Sequence, residues 1–296
     1  MYNSNKDKQK CIEANLLYEK GEEGYFEKML ELLSDGDLPR ALHNKAFYCY
    51  EHGYLNKEET LSLLDKVIGY DSNSYKSYWL AGKIHFDSKN YGKALEYFYS
   101  AEKINPDIIL HNYIGSVLHF MGRFGESAEY FRKAIHTHDD RMLYNYVNEC
   151  ILLGDTDTAR KCINNIRLGE IDEIDIGRLY FLLGEYSRTC ELYLSEWDSI
   201  MPNAVDLGIY TYSLKQIGYS RNHIDNIVNG VINNYKDMIS DFDDEYAISK
   251  YTAVMNEVSL TAEKIKSGLK PEIILEPKEI MPCMLYYCIV HDNDIL

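Results

Sequence analysis

The sequence is short of several things, and each shortage removes a class of protein. Proline is scarce, at 6 of 296 residues, which excludes collagen-like and proline-rich disordered chains. Nowhere do some 18 uncharged apolar residues run together, so no membrane-spanning helix is expected. The first ten residues, Met1 to Lys10, are polar without an apolar core, and no export signal is expected from them. Positive charge is also in deficit: 31 Lys and Arg face 47 Asp and Glu, a net −16 at pH 7. That field opposes nucleic-acid phosphate and anionic lipid, and basic stripes with interleaved aromatics are missing. No G-x-x-x-x-G-K-[ST] or G-x-G-x-x-G loop occurs, which leaves nucleotide chemistry without a foothold. The seven cysteines, at 11, 49, 150, 162, 190, 283 and 288, are odd in number and contain no C-x-x-C. They read as reduced core residues in a cytoplasmic protein without a cofactor.

What is present is ordered and helical in character. Apolar residues make up 46% and charged residues 26% of the chain, enough for a packed core with a solvated surface. A single spacing then repeats. Gly82, Tyr91, Phe98 and Ala101 recur as Gly115, Phe124, Phe131 and Ala134, all four at one constant offset along the chain. Small residues at Gly82, Ala94 and Ala101 allow two helices to approach closely, Phe98 fills the space between one pair and the next, and Pro106 breaks the run. Gly122, Gly154, Gly184 and Gly218 follow at closely similar intervals, each expected to end a first helix in the left-handed conformation. Leu152 to Ala159 and Leu182 to Thr189 are two copies of that turn, with Asp, Ser or Thr available to cap the second helix.

This pattern, strongest over residues 75–135, resembles the tetratricopeptide repeat. The resemblance implies an all-α fold: a right-handed α-solenoid of about seven tetratricopeptide-like helix pairs with a non-repeat C-terminal segment. Ala46 and Gly53 fit a further pair whose turn, Tyr54 to Glu59, is two residues longer. Lys10 to Ser34 reads as a degenerate first pair around Gly21 to Gly24. The expected organisation is degenerate capping helices at 1–38, the repeat array at 39–238, a C-terminal capping helix at 239–268 and a tail packing on the array at 269–296. The capping helix, Tyr246 to Ser267, carries Ile248, Tyr251, Val254, Met255, Val258 and Ala262 at helical intervals behind the acidic run Asp241 to Glu245. After Gly268, prolines and short apolar runs replace the repeat; the tail reads either as a lid or as a docking segment.

Repeats of this family bind partners along the concave face, lined by first helices. The positions that the resemblance carries over are His43, Asn44 and Phe47; Trp79, Lys83 and Phe86; Asn112, Tyr113, Ser116 and His119; Tyr144, Asn145 and Asn148; Arg178; and Tyr212 and Lys215. Tyr and Trp give contact area at low entropic cost and Asn offers donor and acceptor together, which suits an extended peptide. The family's carboxylate clamp for chaperone tails is not met, since Trp79 and Lys83 stand at its first pair of places. The implied function is a non-enzymatic adaptor or regulator that grips a protein partner, with no nucleic acid or membrane. The acidic balance points to a basic partner, and an immunity protein that occludes a basic toxin is the alternative; the same excess also serves solubility. A catalytic alternative would use Glu279, Cys283 or His291. His136, His138, Asp139 and Asp140 resemble a metal cluster, but no second ligand pair has matching spacing, and no metal is expected.

Overall fold

The computed structural model describes residues 4–21, 24–34, 38–135, 139–197, 201–280, 283–288 and 290–291. Among these are fifteen α-helices and no strand, apart from one isolated bridge between Leu168 and Ile171. The fold class is all-α, as the repeat pattern implies. The chain divides into two compact units, Met1–His136 with Glu279–Leu296, and Thr137–Lys278.

The first unit holds four helical hairpins: α1 (Ser4–Lys20) with α2 (Tyr25–Leu32), α3 (Pro39–Glu51) with α4 (Lys57–Tyr70), α5 (Tyr75–Asp87) with α6 (Tyr91–Ile104), and α7 (Ile108–Phe120) with α8 (Phe124–Ala134). The second holds α9 (Asp140–Leu152) with α10 (Thr156–Ile163), α11 (Glu173–Leu182) with α12 (Tyr186–Glu196), and α13 (Ala204–Gln216) with α14 (Arg221–Ser240). Then α15 (Glu245–Lys266) packs on both α13 and α14 and buries Val258, Ala262 and Ile265. Fourteen helices thus make seven hairpins, and the fifteenth closes the last of them.

Within a hairpin, a missing side chain sets the distance of approach. A Cβ built at Gly82 would stand 2.5 Å from the Phe98 ring, at Gly115 2.7 Å from Phe131, and at Gly177 2.9 Å from Tyr193. In each case the ring comes sixteen residues after the glycine. The ring therefore rests on bare backbone of the first helix, and any side chain there would displace it. Four residues before the ring, the second helix is held down by a small side chain: Ala94 is fully buried, the Ser127 hydroxyl donates to the Gly115 carbonyl at 2.8 Å, and that of Thr189 to the Gly177 carbonyl at 3.3 Å.

The turn inside four of the hairpins is equally regular. The amide of Arg123 donates to the Leu118 carbonyl, Asp155 to Cys150, Glu185 to Tyr180 and Tyr219 to Leu214, at 2.8–3.0 Å. The residue before each donor is a glycine with φ of 71–93°. These are the glycines read from the sequence, and they satisfy helix-end carbonyls that would otherwise be orphaned. The second helix after Gly154 is capped by Asp155, whose side chain accepts from the Thr158 amide; after Gly184, Glu185 makes no such bond.

Apolar burial gathers into two clusters in each unit. Trp79, Leu80, Ile84, Phe98, Leu110, Tyr113, Ile114 and Met284 share one cluster in the first unit, and Cys11, Met29, Leu33, Tyr48, Leu285 and Cys288 share another. Met284, Leu285 and Cys288 come from the C-terminal segment, which therefore belongs to the core of the first unit. In the second unit Leu275 joins Tyr144, Val147, Ile176 and Leu179.

Candidate functional site

The C-terminal segment lies on first helices at the positions that the repeat register singled out. In the second unit, residues 271–278 alternate: Ile273 and Leu275 turn inward with Pro277, while Glu272, Ile274 and Glu276 are exposed. Alternation with period two is the signature of extended chain, here laid against helices rather than strands. Asn145 of α9 grips this chain at one residue. Its Nδ2 donates to the Lys278 carbonyl at 2.9 Å, and its Oδ1 accepts from the Lys278 amide at 2.6 Å. One turn on, the Nδ2 of Asn148 donates to the Leu275 carbonyl at 3.0 Å.

The Lys278 side chain is read separately from its backbone. Its ammonium pairs with the Asp175 carboxylate of α11 and lies 5.5 Å from the centroid of the Tyr144 ring. Asp175 also accepts from Arg178 at 2.7 Å, and Arg178 reaches the mostly buried Asp206 of α13 at 2.7 Å. The Tyr193 hydroxyl donates to the same Asp206 oxygen at 3.0 Å. Arg178 therefore neutralises two carboxylates inside the unit, which raises its pKa despite the opposing effect of burial.

In the first unit the arrangement recurs with different side chains. Asn44 of α3 donates from Nδ2 to the Tyr286 carbonyl at 2.9 Å and accepts from the Tyr286 amide at 2.8 Å. Asn15 of α1, oriented by the Tyr48 hydroxyl at 2.9 Å, donates to the Tyr287 carbonyl at 2.8 Å. His43 is fully buried, with Nε2 2.8 Å from the Met284 carbonyl and Nδ1 2.9 Å from the Ser77 hydroxyl. Burial lowers its pKa to about 3, and nearby Lys76 pushes in the same direction. The ring is thus neutral, donating from Nε2 to the carbonyl and accepting at Nδ1 from Ser77. Lys76 Nζ donates to the Leu285 carbonyl at 2.5 Å, and the Tyr286 hydroxyl meets that of Ser74 at 2.9 Å.

The remaining carried-over positions have other surroundings. Trp79, Phe86 and Tyr113 form a buried aromatic cluster with edge-on rings, and Phe47 is half-buried. The Trp79 Nε1 and Tyr113 hydroxyl are enclosed there without a hydrogen-bond partner. Lys83 pairs with Asp87 at 2.7 Å. Asn112 is buried and accepts through its backbone carbonyl from Ser116, while buried His119 lies edge-on to Phe120 and Phe124. Tyr212 packs against Phe181 and Tyr186, and exposed Lys215 donates to the Ile265 carbonyl.

Register alone did not find Asn15, Ser77 or Asp175. The suspected metal ligands His136 and His138 lie outside the described residues. Asp139 pairs with Arg141 at 2.6 Å, and Asp140 accepts from the Arg167 amide at 2.7 Å. Cys283, offered as a nucleophile, is a thiol whose pKa burial pushes up to about 11, which leaves little thiolate at neutral pH.

No curated protein matches the sequence. Solved structures do match in fold: PilF of Pseudomonas aeruginosa (15% identity over 74% of this chain and 98% of that one, TM-score 0.56), and PilW, a widely conserved type IV pilus biogenesis factor (17%, 69% and 94%, 0.55). A tetratricopeptide repeat protein of Parabacteroides merdae is a third (14%, 84% and 98%, 0.56). The fold class these define is the α-solenoid of helix pairs. Residues 75–108 and 111–135 match the tetratricopeptide repeat family model directly, so this stretch of the chain carries tetratricopeptide repeats. Among the described residues no helix is long and apolar enough to cross a membrane.

Proposed function

We propose that this protein is a protein-interaction module, an adaptor or regulator, that holds an extended segment of a partner by its backbone along the first helices. The observation that carries this reading is the pairing of Asn145 with Lys278 and of Asn44 with Tyr286. In both cases one side-chain amide takes the N–H and the C=O of a single residue. Such a grip tolerates any side chain, so selectivity falls to the neighbouring surfaces: an apolar seat for Leu275 beside Val147 and Leu179, and the Asp175 carboxylate for a basic residue. The net charge of −16 favours a basic partner. Residues 271–278 in the second unit and 284–287 in the first occupy these places in the chain itself, each as a tethered competitor at an effective concentration of about millimolar.

The experiment uses a synthetic peptide spanning Pro271 to Lys278 and isothermal titration. The wild-type chain should not bind it, because its own copy is in place. A Leu275→Asp/Lys278→Glu chain, whose segment is released, should bind, and adding Asn145→Ala should abolish that binding. Equal binding by wild type and the released variant, or binding indifferent to Asn145→Ala, overturns the reading.

A further inference from the structure

The segment held by Asn44 is bracketed by two cysteines. Cys283 precedes Met284, whose carbonyl His43 takes, and Cys288 follows Tyr287, whose carbonyl Asn15 takes. Three residues further on stands His291. The Sγ atoms of Cys283 and Cys288 and a ring nitrogen of His291 all lie within 4.8 Å of one another, with Cys288 Sγ 3.3 Å from His291 Nδ1. Both thiols are free.

Two thiolates and an imidazole are the donor set of a thiophilic cation. Zinc bonds at about 2.3 Å to sulfur and about 2.0 Å to nitrogen place tetrahedral ligand atoms roughly 3.5–3.8 Å apart, so modest side-chain rotation brings this trio onto one ion. The spacing C-x4-C-x2-H closes two short chelate loops. Charge argues the same way. Cys288 is mostly buried, and Arg40 and Lys76 stand over the ring of Tyr286, which lies between the two cysteines in sequence. Two thiolates with a divalent cation and a neutral imidazole carry no net charge, so the site adds no uncompensated charge to a partly buried surrounding. His291 is exposed, and its side of the trio is where water would complete the tetrahedron.

We infer that Cys283, Cys288 and His291 form a binding site for a single zinc-class cation that clasps the turn held by His43, Asn44 and Asn15. Binding releases the thiol protons and ties both ends of residues 284–287 together, so it should stabilise that turn against detachment. The inference is independent of what the rest of the chain binds.

The test is titration of the reduced, chelator-treated full-length protein with cobalt(II), whose thiolate charge-transfer bands and intense tetrahedral visible bands report the donor set. One equivalent should develop both, zinc should bleach them, and amide exchange over residues 284–287 should slow by tenfold or more with zinc bound. Cys162→Ser should leave the bands unchanged and Cys283→Ser/Cys288→Ser should remove them. If that double variant fails to fold, His291→Ala, at an exposed position, should weaken cobalt binding at least tenfold and shift the visible bands. Absence of the thiolate bands in folded wild type, their persistence without Cys283 and Cys288, an unchanged His291→Ala titration, or a Cys283–Cys288 disulfide surviving reduction overturns the site.

Discussion

Asn44 and Asn145 are the sixth residues of α3 and α9, and each closes the same pair of hydrogen bonds on one residue of the C-terminal segment. Removing either amide leaves an N–H and a C=O to find water. Two hydrogen bonds at roughly 0.5–1.5 kcal/mol each predict that Asn145→Ala loosens residues 271–278 by about 1–3 kcal/mol. Trypsin cleavage after Lys278 should accelerate by about tenfold or more in the variant under native conditions. An unchanged rate, with the circular-dichroism spectrum intact, would mean that the apolar seat of Leu275 alone holds the segment.

The glycines of the hairpins divide into two kinds with opposite responses to a methyl group. Gly82→Ala should cost about 1–3 kcal/mol, because the new Cβ would stand 2.5 Å from the Phe98 ring. Gly230, in the middle of α14, meets nothing within 4 Å and has an ordinary helical φ. Gly230→Ala should therefore gain about 0.5–1 kcal/mol by restricting the unfolded chain. Urea midpoints of the two variants should move in opposite directions; movement in one direction would remove close packing as the reason for Gly82.

Hairpin α5–α6 departs from the glycine turns at Gly122, Gly154, Gly184 and Gly218. Its turn bonds the Asn90 amide to the His85 carbonyl at 2.8 Å, as its counterparts do, but Lys89 takes the left-handed place with φ of 58°. A side chain there is strained by about 1 kcal/mol. Lys89→Gly should raise the urea midpoint by the equivalent of about 0.5–1 kcal/mol with an unchanged slope, and a lower midpoint would show that the lysine side chain contributes more than its backbone strain costs.

The fold was legible because its causes are local. Gly82 and Phe98, or Gly122 and Arg123, lie within one hairpin, so a spacing that recurs from hairpin to hairpin exposes them without coordinates. The equivalent Gly177 with Tyr193 went unread because the hairpin before it carries Val147 at the glycine's place and is shorter, so no constant offset leads from Gly115 to Gly177. The site was legible only by half. Register named Asn44, Asn145 and Asn148 as facing a ligand, but their occupants lie 242, 133 and 127 residues away in sequence, where periodicity carries no signal. Trp79, Phe86 and Tyr113 show the other limit: an aromatic on a first helix has the same spacing whether it faces a partner or, as here, the core. Asp175 and Asn15 escaped because the shortened α11 and degenerate α1 blur the register. A hint lay in the tail itself, where Ile273, Leu275 and Pro277 alternate with charged or exposed neighbours.

His43 makes the hold on residues 284–287 sensitive to acid. In the folded chain burial depresses its pKa to about 3, whereas the unfolded ring titrates near 6.5. Between those values the unfolded chain binds a proton that the folded chain refuses, so folding stability is complete above about pH 6.5 and is lost as pH falls toward 3. From about pH 7 to about pH 5 this one residue should remove about 2 kcal/mol. The refusal has a structural cause: protonation would put a second donor on Nδ1 and a positive charge near Lys76, in a place closed to water. His43→Gln deletes the titration, so the stability difference between wild type and variant, measured by urea unfolding, should shrink by about 2 kcal/mol between the two pH values. Other titrating groups act on both proteins and cancel. Parallel pH profiles would show that the imidazole takes up its proton in place, with Met284 and Ser77 rearranged to receive it, and amide exchange at residues 284–287 would then remain unchanged across the same interval.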